Sequence, residues 1–421
     1  MVQPALVAVI FVATVGALYL RPPRVKDWHI AGIGAVAAWT VGPLSLSAGF
    51  DVLRGSANIV AFFLGLMLIA AGAEASGLYE RAAALLTARR AGRPQVALVL
   101  LLATGITAVL SNDATPLVLT PAIFAAARTR GGDPTAAAFA ATFVADGASL
   151  LLPISNPVNL LFYDRFDLGF RTFAAEIMPA AAAGIAALSF LTWLMTGRGA
   201  TARPARAAAH LPASPPIVRA HTFVALATVA ALAAAYVAAA MLRVPLGIVS
   251  LAGGAAFLGG GLAFRTVEPG RYRRHISLGL LVFVASLLVL VESVSAAGLL
   301  DWLSSLLAKL SDQPLLLGVA GAAVVAAVLS NLINNWPAAL VLATAIAATP
   351  GQPPELIAGA LIGCSIGANF TLVGSLSTVF WLSLARKEGA NYSAWGYARA
   401  AAIPTGAGVA AACAVAALTL R

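Results

Sequence analysis

Charged residues and cysteines are scarce in this sequence. Only 10% of its 421 residues are charged, against about 25% in an ordinary soluble domain. By contrast, 61% are hydrophobic and the mean hydropathy is +0.92. This composition excludes a soluble globular domain, whose surface must carry more polar groups. The two cysteines, Cys364 and Cys413, lie in apolar segments, which excludes a disulfide framework and a CxxC metal site.

The sequence also lacks the common motifs of nucleotide and metal chemistry. It contains no phosphate-binding loop of the form GxxxxGKS or GxxxxGKT, and no HExxH zinc motif. Its net charge of +10 is spread over short segments between apolar runs and forms no basic stripe of the kind that binds nucleic acid. We therefore expect no ATP hydrolysis by this chain, no nucleic-acid partner, no cofactor and no metal site. An intramembrane enzyme is disfavoured.

Long apolar runs are what the sequence has in quantity. About 20 apolar residues cross a hydrocarbon core roughly 30 Å thick. Runs that predict plain spanning helices occur near 2–20, 28–48, 57–75, 172–196, 221–241, 245–264, 276–299 and 400–420. Two longer stretches, 95–171 and 314–384, are interrupted by Pro, Gly, Asn and Ser, which a plain spanning helix would not contain. These interruptions are the predicted functional regions.

The basic residues predict an orientation in the membrane. The first apolar run has no basic segment before it and no cleavage site, which favours a retained helix over a signal peptide. If the loop after this helix is cytoplasmic, most of the 26 Lys and Arg residues fall inside, as the positive-inside rule requires. The exceptions are Arg54, Arg165, Arg171, Arg243, Lys309 and Arg421. Both termini are then predicted outside, and 197–219 is predicted to be a cytoplasmic linker.

The two halves of the chain match each other. Ser330-Asn331 follows Ser111-Asn112 by 219 residues, and 371–378 aligns with 152–159 at the same offset. The predicted segments are an N-terminal repeat 1–196 with a hairpin 95–130 and a broken span 136–171, and a C-terminal repeat 220–421 with a hairpin 314–349 and a broken span 355–384. Five full crossings in each half invert the second half relative to the first. We predict an all-α polytopic membrane protein with an inverted 5+5 transmembrane repeat, two re-entrant hairpins and two broken helices.

The polar breaks in this repeat predict a solute-binding cavity. An unwound backbone at bilayer depth is tolerated only where protein or a watery cavity satisfies its N–H and C=O groups. Breaks near 111–116, 153–159, 330–337 and 367–378 also bring helix N-termini, with their partial positive charge, to the middle of the membrane. A carrier and a passive channel both fit this pattern.

Amide and hydroxyl side chains at the breaks are the candidate solute ligands. They are Asn112, Thr115, Ser155, Asn156, Asn159, Asn331, Asn334, Asn335, Asn369, Thr371 and Ser375. The structural alternative is that they satisfy the broken backbone. Asp113 and Asp146 are the candidate proton carriers, because ionisable groups inside a membrane are costly and are retained for function. Their structural alternative is to cap helix or hairpin ends.

The motifs around the breaks resemble the arsenite/antimonite permease family ArsB, within the ion transporter superfamily that includes NhaD sodium/proton antiporters. Ser111-Asn112-Asp113-Ala114 is similar to the family's Asn-Asp-Gly-Ala motif, and Leu119-Thr120-Pro121 to its Leu-Thr-Pro sequel. Ile154-Ser155-Asn156-Pro157-Val158-Asn159 is similar to its Val-Ser-Asn-Leu-Val-Asn stretch, and Asn334-Asn335-Trp336-Pro337 matches Asn-Asn-x-Pro. One segment departs: 363–372 lacks the acid and the base of the family's Gly-Cys-Asp-Leu-Gly-Pro-Lys-Ile-Thr-Pro.

The resemblance implies a secondary carrier of a bacterial or archaeal plasma membrane. Its expected activity is export of arsenite or antimonite, as a neutral trihydroxide, in exchange for protons by alternating access. The departing segment contains Asn369-Phe370-Thr371, which is closer to other branches of the superfamily and keeps two alternatives open. These are sodium/proton antiport and transport of a dicarboxylate or other anion. Family members can also associate with a separate ArsA-type ATPase.

Overall fold

The computed structural model describes residues 2–20, 25–88, 92–130, 132–196, 216–268, 270, 272–273 and 276–420. Every regular element in that part is helical. The first half contains α1 (Val2–Leu20), α2 (Asp27–Val41), α3 (Leu46–Gly55), α4 (Ala57–Ala75), α5 (Leu78–Ala88), α6 (Arg93–Val109), α7 (Ala114–Arg130), α8 (Thr135–Ala148), α9 (Pro157–Arg165), α10 (Phe170–Thr172) and α11 (Met178–Thr196). A π-helical turn at Phe173–Ile177 joins α10 to α11.

The second half is helical as well in the regular elements of its described residues. It contains α12 (Pro216–Met241), α13 (Leu246–Ala263), α14 (Leu278–Ala296), α15 (Asp301–Ser311), α16 (Leu315–Ile333), α17 (Asn335–Ala347), α18 (Pro354–Ser365), α19 (Leu376–Lys387) and α20 (Ala394–Thr419). A short 3-10 turn at Gly367–Phe370 follows α18. Of the predicted linker 197–219, residues 197–215 lie outside the described part, and the remainder begins α12.

The helices have the length and surface of a multi-pass membrane protein. Seven helical runs in the described part are long and apolar enough to cross a membrane, namely α4, α10–α11, α12, α13, α14, α16 and α20. Large apolar side chains on the helices, such as Leu101, Phe223 and Val324, are more than half exposed. Such exposure is expected where the surrounding solvent is lipid, because lipid tails solvate apolar side chains at no cost.

The apolar run near 28–48 does not form the single span that the sequence predicts. α2 ends at Val41, because Gly42 and Pro43 follow and proline can neither continue the helix nor donate a backbone hydrogen bond. α3 then starts anew, with the Ser45 side chain accepting a hydrogen bond from the Ala48 N–H. With 15 residues, α2 is about 22 Å long, which is shorter than a hydrocarbon core of roughly 30 Å. The apolar run is long enough to cross the membrane in total, but it is divided between two helices.

Helices of the two halves pack against each other through the centre of the molecule. α4 lies along α13, α2 lies along α14, and α11 lies along α20. Contacts also join each hairpin to the broken span of the other half, α7 to α19 and α17 to α9. The four breaks are therefore enclosed between α4 and α14 on one side and the remaining helices of the hairpins and broken spans on the other.

Small residues permit the closest of these contacts. Gly359 and Gly363 lie one turn apart on α18, against α16. A Cβ atom at Gly359 would lie 2.4 Å from the Val319 carbonyl oxygen, and one at Gly363 would lie 2.3 Å from that of Ala323. This is the small-xxx-small pattern that lets two membrane helices approach at their backbones. It fixes the arm of the second hairpin against the second broken span.

Candidate functional site

The first hairpin tip is fixed to the first break. The Asn112 backbone N–H donates to the Ser155 carbonyl over 3.0 Å, and the Ser155 hydroxyl donates to the Ala108 carbonyl over 3.0 Å. Asn156 caps α9, because its side-chain oxygen accepts a hydrogen bond from the Val158 N–H. The loose N–H and C=O groups at bilayer depth are thus paired within the protein, as a lipid surrounding requires.

The second tip is built in the same way. Asn334 ends α16 and begins α17 at φ 77° and ψ 150°, a strained conformation that residues other than glycine rarely adopt. Its side-chain nitrogen donates to the Val373 carbonyl over 3.0 Å, and its side-chain oxygen accepts from the Trp336 N–H. The Asn335 N–H donates to the Gly374 carbonyl over 2.8 Å. Each tip is therefore held by the break of its own half.

Asp146 joins the first tip to the second break. This carboxylate lies near the end of α8 and is 1% exposed. Its Oδ1 accepts hydrogen bonds from the Ser375 hydroxyl (2.7 Å) and the Asn112 side-chain nitrogen (3.2 Å), and its Oδ2 accepts from the Thr378 hydroxyl (2.9 Å). Asn112 belongs to the first half, and the two hydroxyls belong to the second. One buried acid is therefore held by donors from both halves of the chain, in the way that stabilises a carboxylate.

Asp113 lies at the floor of a wide vestibule. This cavity has a volume of about 1450 Å³ and reaches inward as far as Ser111 and Asp113. Its mouth carries the charged residues Lys26, Asp27, Glu80, Arg128, Arg273, Lys387 and Glu388. Arg128 and Glu388 form an ion pair there between the end of α7 and the end of α19. The basic residues of the mouth belong to segments that the positive-inside rule predicts to be cytoplasmic.

The opposite end of the site is closed by contacts of the first broken span. The Asn58 side-chain nitrogen donates to Asp164 over 2.6 Å, and its side-chain oxygen accepts from the Gly247 N–H over 2.8 Å. Arg243 pairs with Asp167 over 3.1 Å. Asn58 begins α4, about 24 Å along the helix axis from the end that lines the vestibule. The wide vestibule reaches the first tip from the other end of α4.

A second, small cavity of about 20 Å³ lies between the two tips. Its polar lining consists of Asn112, Asp113 and Asn156 from the first half, and Asn335, Trp336 and Ser375 from the second. Phe63 of α4 and Val284 of α14 cover it from the other side. Phe63 and Asp113 also line the vestibule, so the two cavities adjoin. A volume of this size accommodates about one water-sized group.

The electrostatics of this small cavity come from helix ends and carboxylates. α7, α9, α17 and α19 all begin at the breaks around it, and helix N-termini carry partial positive charge. Asp113 is the charged side chain in its lining, and Asp146 lies directly behind Asn112 and Ser375. The lining contains no Lys, Arg or His. Neutral donors and acceptors beside two acids suit an uncharged polar solute and protons.

The other predicted ligands are engaged with the protein itself. The Asn159 side chain donates to the Ser149 and Leu152 carbonyls, and the Asn331 side chain donates to the Ala327 and Gly367 carbonyls. The remaining contacts are Thr371 to Asn331, Asn369 to the Phe143 carbonyl, and Thr115 to the Thr107 hydroxyl. These groups satisfy broken backbone and neighbouring side chains. Asn112, Asn156, Asn335 and Ser375 are the predicted amide and hydroxyl ligands that line the small cavity.

Two residues at the site were not singled out by the sequence. Thr378 bonds Asp146 and lies three residues after Ser375, a spacing that puts both hydroxyls on one helix face. This spacing could have predicted Thr378 as a site residue from the sequence. Trp336 lines the small cavity and occupies the variable position of the Asn-Asn-x-Pro motif. Nothing in the motif distinguishes it from an apolar residue that packs against its neighbours.

Two further kinds of chemistry are not supported by the geometry. No group of three or more His, Cys, Asp and Glu side chains that could hold a metal lies within the described part. Gly363-Cys364-Ser365-Ile366-Gly367 has the spacing of a GxSxG nucleophile elbow. However, Ser365 is fully buried at the end of α18, and the elbow requires a strand-to-helix turn that exposes the serine.

A family model and curated relatives match most of this chain. The model described as Citrate transporter (CitMHS) matches residues 5–363. An arsenical pump membrane protein of Yersinia enterocolitica is 29% identical over 400 residues, 92% of each chain. One of Escherichia coli is 28% identical over 404 residues, 93% of each chain. An uncharacterized transporter of Mycobacterium tuberculosis is 26% identical over 361 residues, 83% of each chain. The resemblance to arsenite permeases is thereby confirmed.

A solved structure shares the fold. The YdaH transporter of Alcanivorax borkumensis, whose topology is described as unusual, superposes with a TM-score of 0.59 and 15% identity. The match covers 96% of this chain and 98% of that one. At this level of identity the likeness concerns the fold alone. It confirms the prediction of an all-α polytopic membrane protein.

Proposed function

The chain belongs to the citrate transporter family and is a membrane transporter, and we propose that it exports arsenite and antimonite as neutral trihydroxides in exchange for protons. The observation that carries this proposal is the pair of acids where the first tip meets the second break. Asp146 accepts hydrogen bonds from both halves, and Asp113 faces the vestibule. The arsenical pump relatives support the choice of solute.

The chemistry of the small cavity supports an uncharged solute. Arsenous acid is a weak acid that is mostly uncharged at neutral pH, and each of its hydroxyls can donate and accept a hydrogen bond. Asn112, Asn156, Asn335 and Ser375 line the cavity with amide and hydroxyl groups, although those of Asn156 and Ser375 also bond within the protein. A site that reads hydroxyls in this way rejects analogues that leave its buried polar groups unpaired.

A carboxylate is the second candidate solute. The description of the matching family model favours it, and so do the four helix N-termini around the small cavity. Against it stand Asp113 in the lining and Asp146 behind it, with no basic side chain among the lining residues. A di- or trianion would meet like charge at close range, which costs free energy in a low dielectric. Sodium/proton exchange, the other alternative, lacks a comparable supporting observation.

Alternating access follows from the proposed inverted repeat. In the proposed repeat, α4 corresponds to α14, α13 to α2, α7 to α17, and α19 to α9. The contact of α4 with α13 should then have a counterpart between α14 and α2, and that of α7 with α19 a counterpart between α17 and α9. Each of these contacts occurs, which supports the repeat. The two hairpins and the two broken spans form the proposed transport unit, and it moves against a scaffold that contains α2, α4, α13 and α14. The open vestibule then corresponds to the inward-facing state.

Proton exchange is assigned to the two acids. In the proposed cycle, Asp113 and Asp146 take up protons from the outside as the solute leaves, and release them to the cytoplasm before solute binds again. The vestibule gives Asp113 direct access to water on the basic side, while Asp146 is reached only past Asn112 and Ser375. In this state Asp113 is therefore the acid nearer the water of the vestibule, and Asp146 is the more deeply buried acid.

Topology and partners belong to the same proposal. Both termini lie outside a bacterial or archaeal plasma membrane, and the basic mouth of the vestibule lies in the cytoplasm, in accord with the positive-inside rule. An ArsA-type ATPase at the cytoplasmic face remains a prediction of the resemblance. Transport driven by a proton gradient does not require it.

Solute competition in everted membrane vesicles tests the proposal. Vesicles with an acidic lumen accumulate arsenite above the external concentration if protons leave in exchange. Unlabelled antimonite should compete with arsenite, whereas citrate and succinate should not. Sodium-driven succinate or citrate uptake without arsenite accumulation would sink the proposal in favour of the second candidate. Vesicles from cells that lack the protein give the background.

A further inference from the structure

Trp336 carries an unused hydrogen-bond donor at the centre of the site. Its side chain is 3% exposed, and its Nε1–H has no hydrogen-bond partner among the described residues. Buried indole N–H groups are normally paired, because a donor withdrawn from water without an acceptor is destabilising. A donor left unpaired at a cavity is one that a bound solute can pair.

Asn112 supplies the complementary acceptor. Its side-chain nitrogen donates to Asp146, which fixes the orientation of the amide, since a carboxylate oxygen accepts from nitrogen and not from oxygen. The Oδ1 atom is consequently the free end, and it is buried without a partner. Asn112 lies on the first tip and Trp336 on the second, and both line the small cavity of about 20 Å³. Two residues, one with an unpaired donor and one with an unpaired acceptor, thus border a space for about one water-sized group.

The indole ring is held in place by its neighbours. Phe63 of α4 meets it edge to face, with ring centroids 5.7 Å apart and an interplanar angle of 89°. The backbone N–H of Trp336 is bonded to the Asn334 side chain. The edge-to-face contact and the bonded backbone limit the positions that the ring can take, which makes a hydrogen bond to a solute directional and selective.

We propose that Trp336 is a substrate-binding residue that selects for hydroxyl groups. One hydroxyl of the solute enters the small cavity, accepts a hydrogen bond from the Trp336 Nε1–H and donates one to the Asn112 Oδ1. The rest of the solute remains beside Asp113 at the floor of the vestibule. A carboxylate accepts but cannot donate, so it would leave the Asn112 oxygen unpaired and is discriminated against. This inference rests on the proposed function and names the feature that sets its specificity.

Equilibrium binding to the purified protein tests the inference. Trp336→Phe keeps the ring against Phe63 and removes the donor, and Trp395→Phe is the control, since Trp395 is 73% exposed. Arsenous acid and boric acid, both neutral trihydroxides, are the probes, with citrate as the carboxylate. We expect Trp336→Phe to raise the Kd of arsenous acid about 10-fold, with boric acid affected in the same direction and Trp395→Phe unchanged. Thermal melting of each variant verifies that it is folded.

The outcomes separate this inference from the proposed function. Equal affinity of the wild type and Trp336→Phe for both trihydroxides would overturn the role of Trp336 and leave the proposed export intact. Loss of trihydroxide binding in Trp336→Phe, together with transport that ignores the proton gradient, would retain the inference and overturn the coupling. Binding of citrate in place of either trihydroxide by the wild type would overturn both.

Discussion

Asp113 and Asp146 are the residues on which the proposed proton exchange depends. One faces water in the vestibule, and the other is buried behind hydrogen-bond donors from both halves. Two acids in different surroundings can hold and release protons at different stages of a cycle. The hydrogen bonds of Asp146 to Ser375 and Thr378 also link it to the second half, so that in the proposed cycle its protonation would act directly on the contact between the two halves.

Replacing Asp113 by Asn or by Ala should abolish proton-driven accumulation. Neither side chain can carry a proton, although Asn preserves the shape of the tip. Arsenite uptake into vesicles with an acidic lumen should fall to background in both variants, while exchange of labelled for unlabelled arsenite continues in the Asn variant. Asp51→Asn is the control, since Asp51 is an exposed partner of Arg54 on α3. Gradient-driven uptake that persists in both Asp113 variants would assign coupling to another group.

The hydroxyl group of Thr378 should be required for proton-driven uptake. Thr378→Val removes one of three hydrogen bonds to the Asp146 carboxylate at nearly constant volume, and a hydrogen bond to a charged group contributes about 1.5–3 kcal/mol. We expect the rate of proton-driven uptake to fall by at least about 10-fold, and Thr378→Ser to restore most of it. Thr349→Val is the matched control, because Thr349 lies just after α17 and its hydroxyl bonds the Ala345 carbonyl near the end of that helix. Unchanged uptake in Thr378→Val would show that this hydrogen bond is dispensable.

The sequence predicts the acids better than their partners. Asp113 and Asp146 stand out because an ionisable group in an apolar run is rare and costly. Thr378 is 232 residues away from Asp146 and reaches it only through the meeting of the two breaks. The amides at the breaks were predictable as a class, but whether one faces the cavity, as Asn335 does, or its own backbone, as Asn159 does, depends on the geometry of the turn.

At the scale of elements, the breaks and the helix contacts decide what can move. The contacts of Asn58 with Asp164 and Gly247 join α9 to α4 and α13 at the closed end of the site. They are polar contacts between the proposed transport unit and the scaffold, and there are few of them. Near water, such contacts form and break with little change in free energy. We expect them to be absent in the outward-facing state.

Cross-linking the closed end should stop transport. Cysteines replace Asn58 and Asp164 in a variant whose buried native cysteines, Cys364 and Cys413, are changed to alanine. A short thiol-specific cross-linker should abolish arsenite uptake, and reduction should restore it. The control pair replaces Asp51 and Arg54, which lie on one helix and do not join moving parts. Full transport in the cross-linked Asn58 and Asp164 variant would contradict the alternating-access account.

The contact of α16 with α18 should tolerate no added methyl group. Gly363→Ala would put a Cβ atom 2.3 Å from the Ala323 carbonyl oxygen, so the second hairpin must shift from its broken span. Overpacking of this kind costs about 1–3 kcal/mol, and the melting temperature of the purified protein should fall by several degrees. Gly406→Ala, on α20 with nothing within 4 Å, should not lower it. Equal melting temperatures would show that the helices separate easily.

At the scale of the whole molecule, the fold follows from the membrane. Apolar runs predict most of the spanning helices, and the polar interruptions predict where helices break, because lipid leaves no other partner for a loose backbone. The prediction of one spanning helix near 28–48 was wrong, because it rested on apolar composition and Gly42-Pro43 divides the run into two helices. How α4 and α14 enclose the four breaks could not be predicted, since apolar helices carry little information about which neighbour they choose.

Uptake into proteoliposomes that contain only the purified protein tests the central claim most directly. With the lumen acidic and no nucleotide present, the account predicts that arsenite accumulates above its external concentration and that the lumen becomes more alkaline as it does. A protonophore should abolish both. Arsenite that rises only to the external concentration, with no change in luminal pH, would contradict the account and make the protein a passive channel.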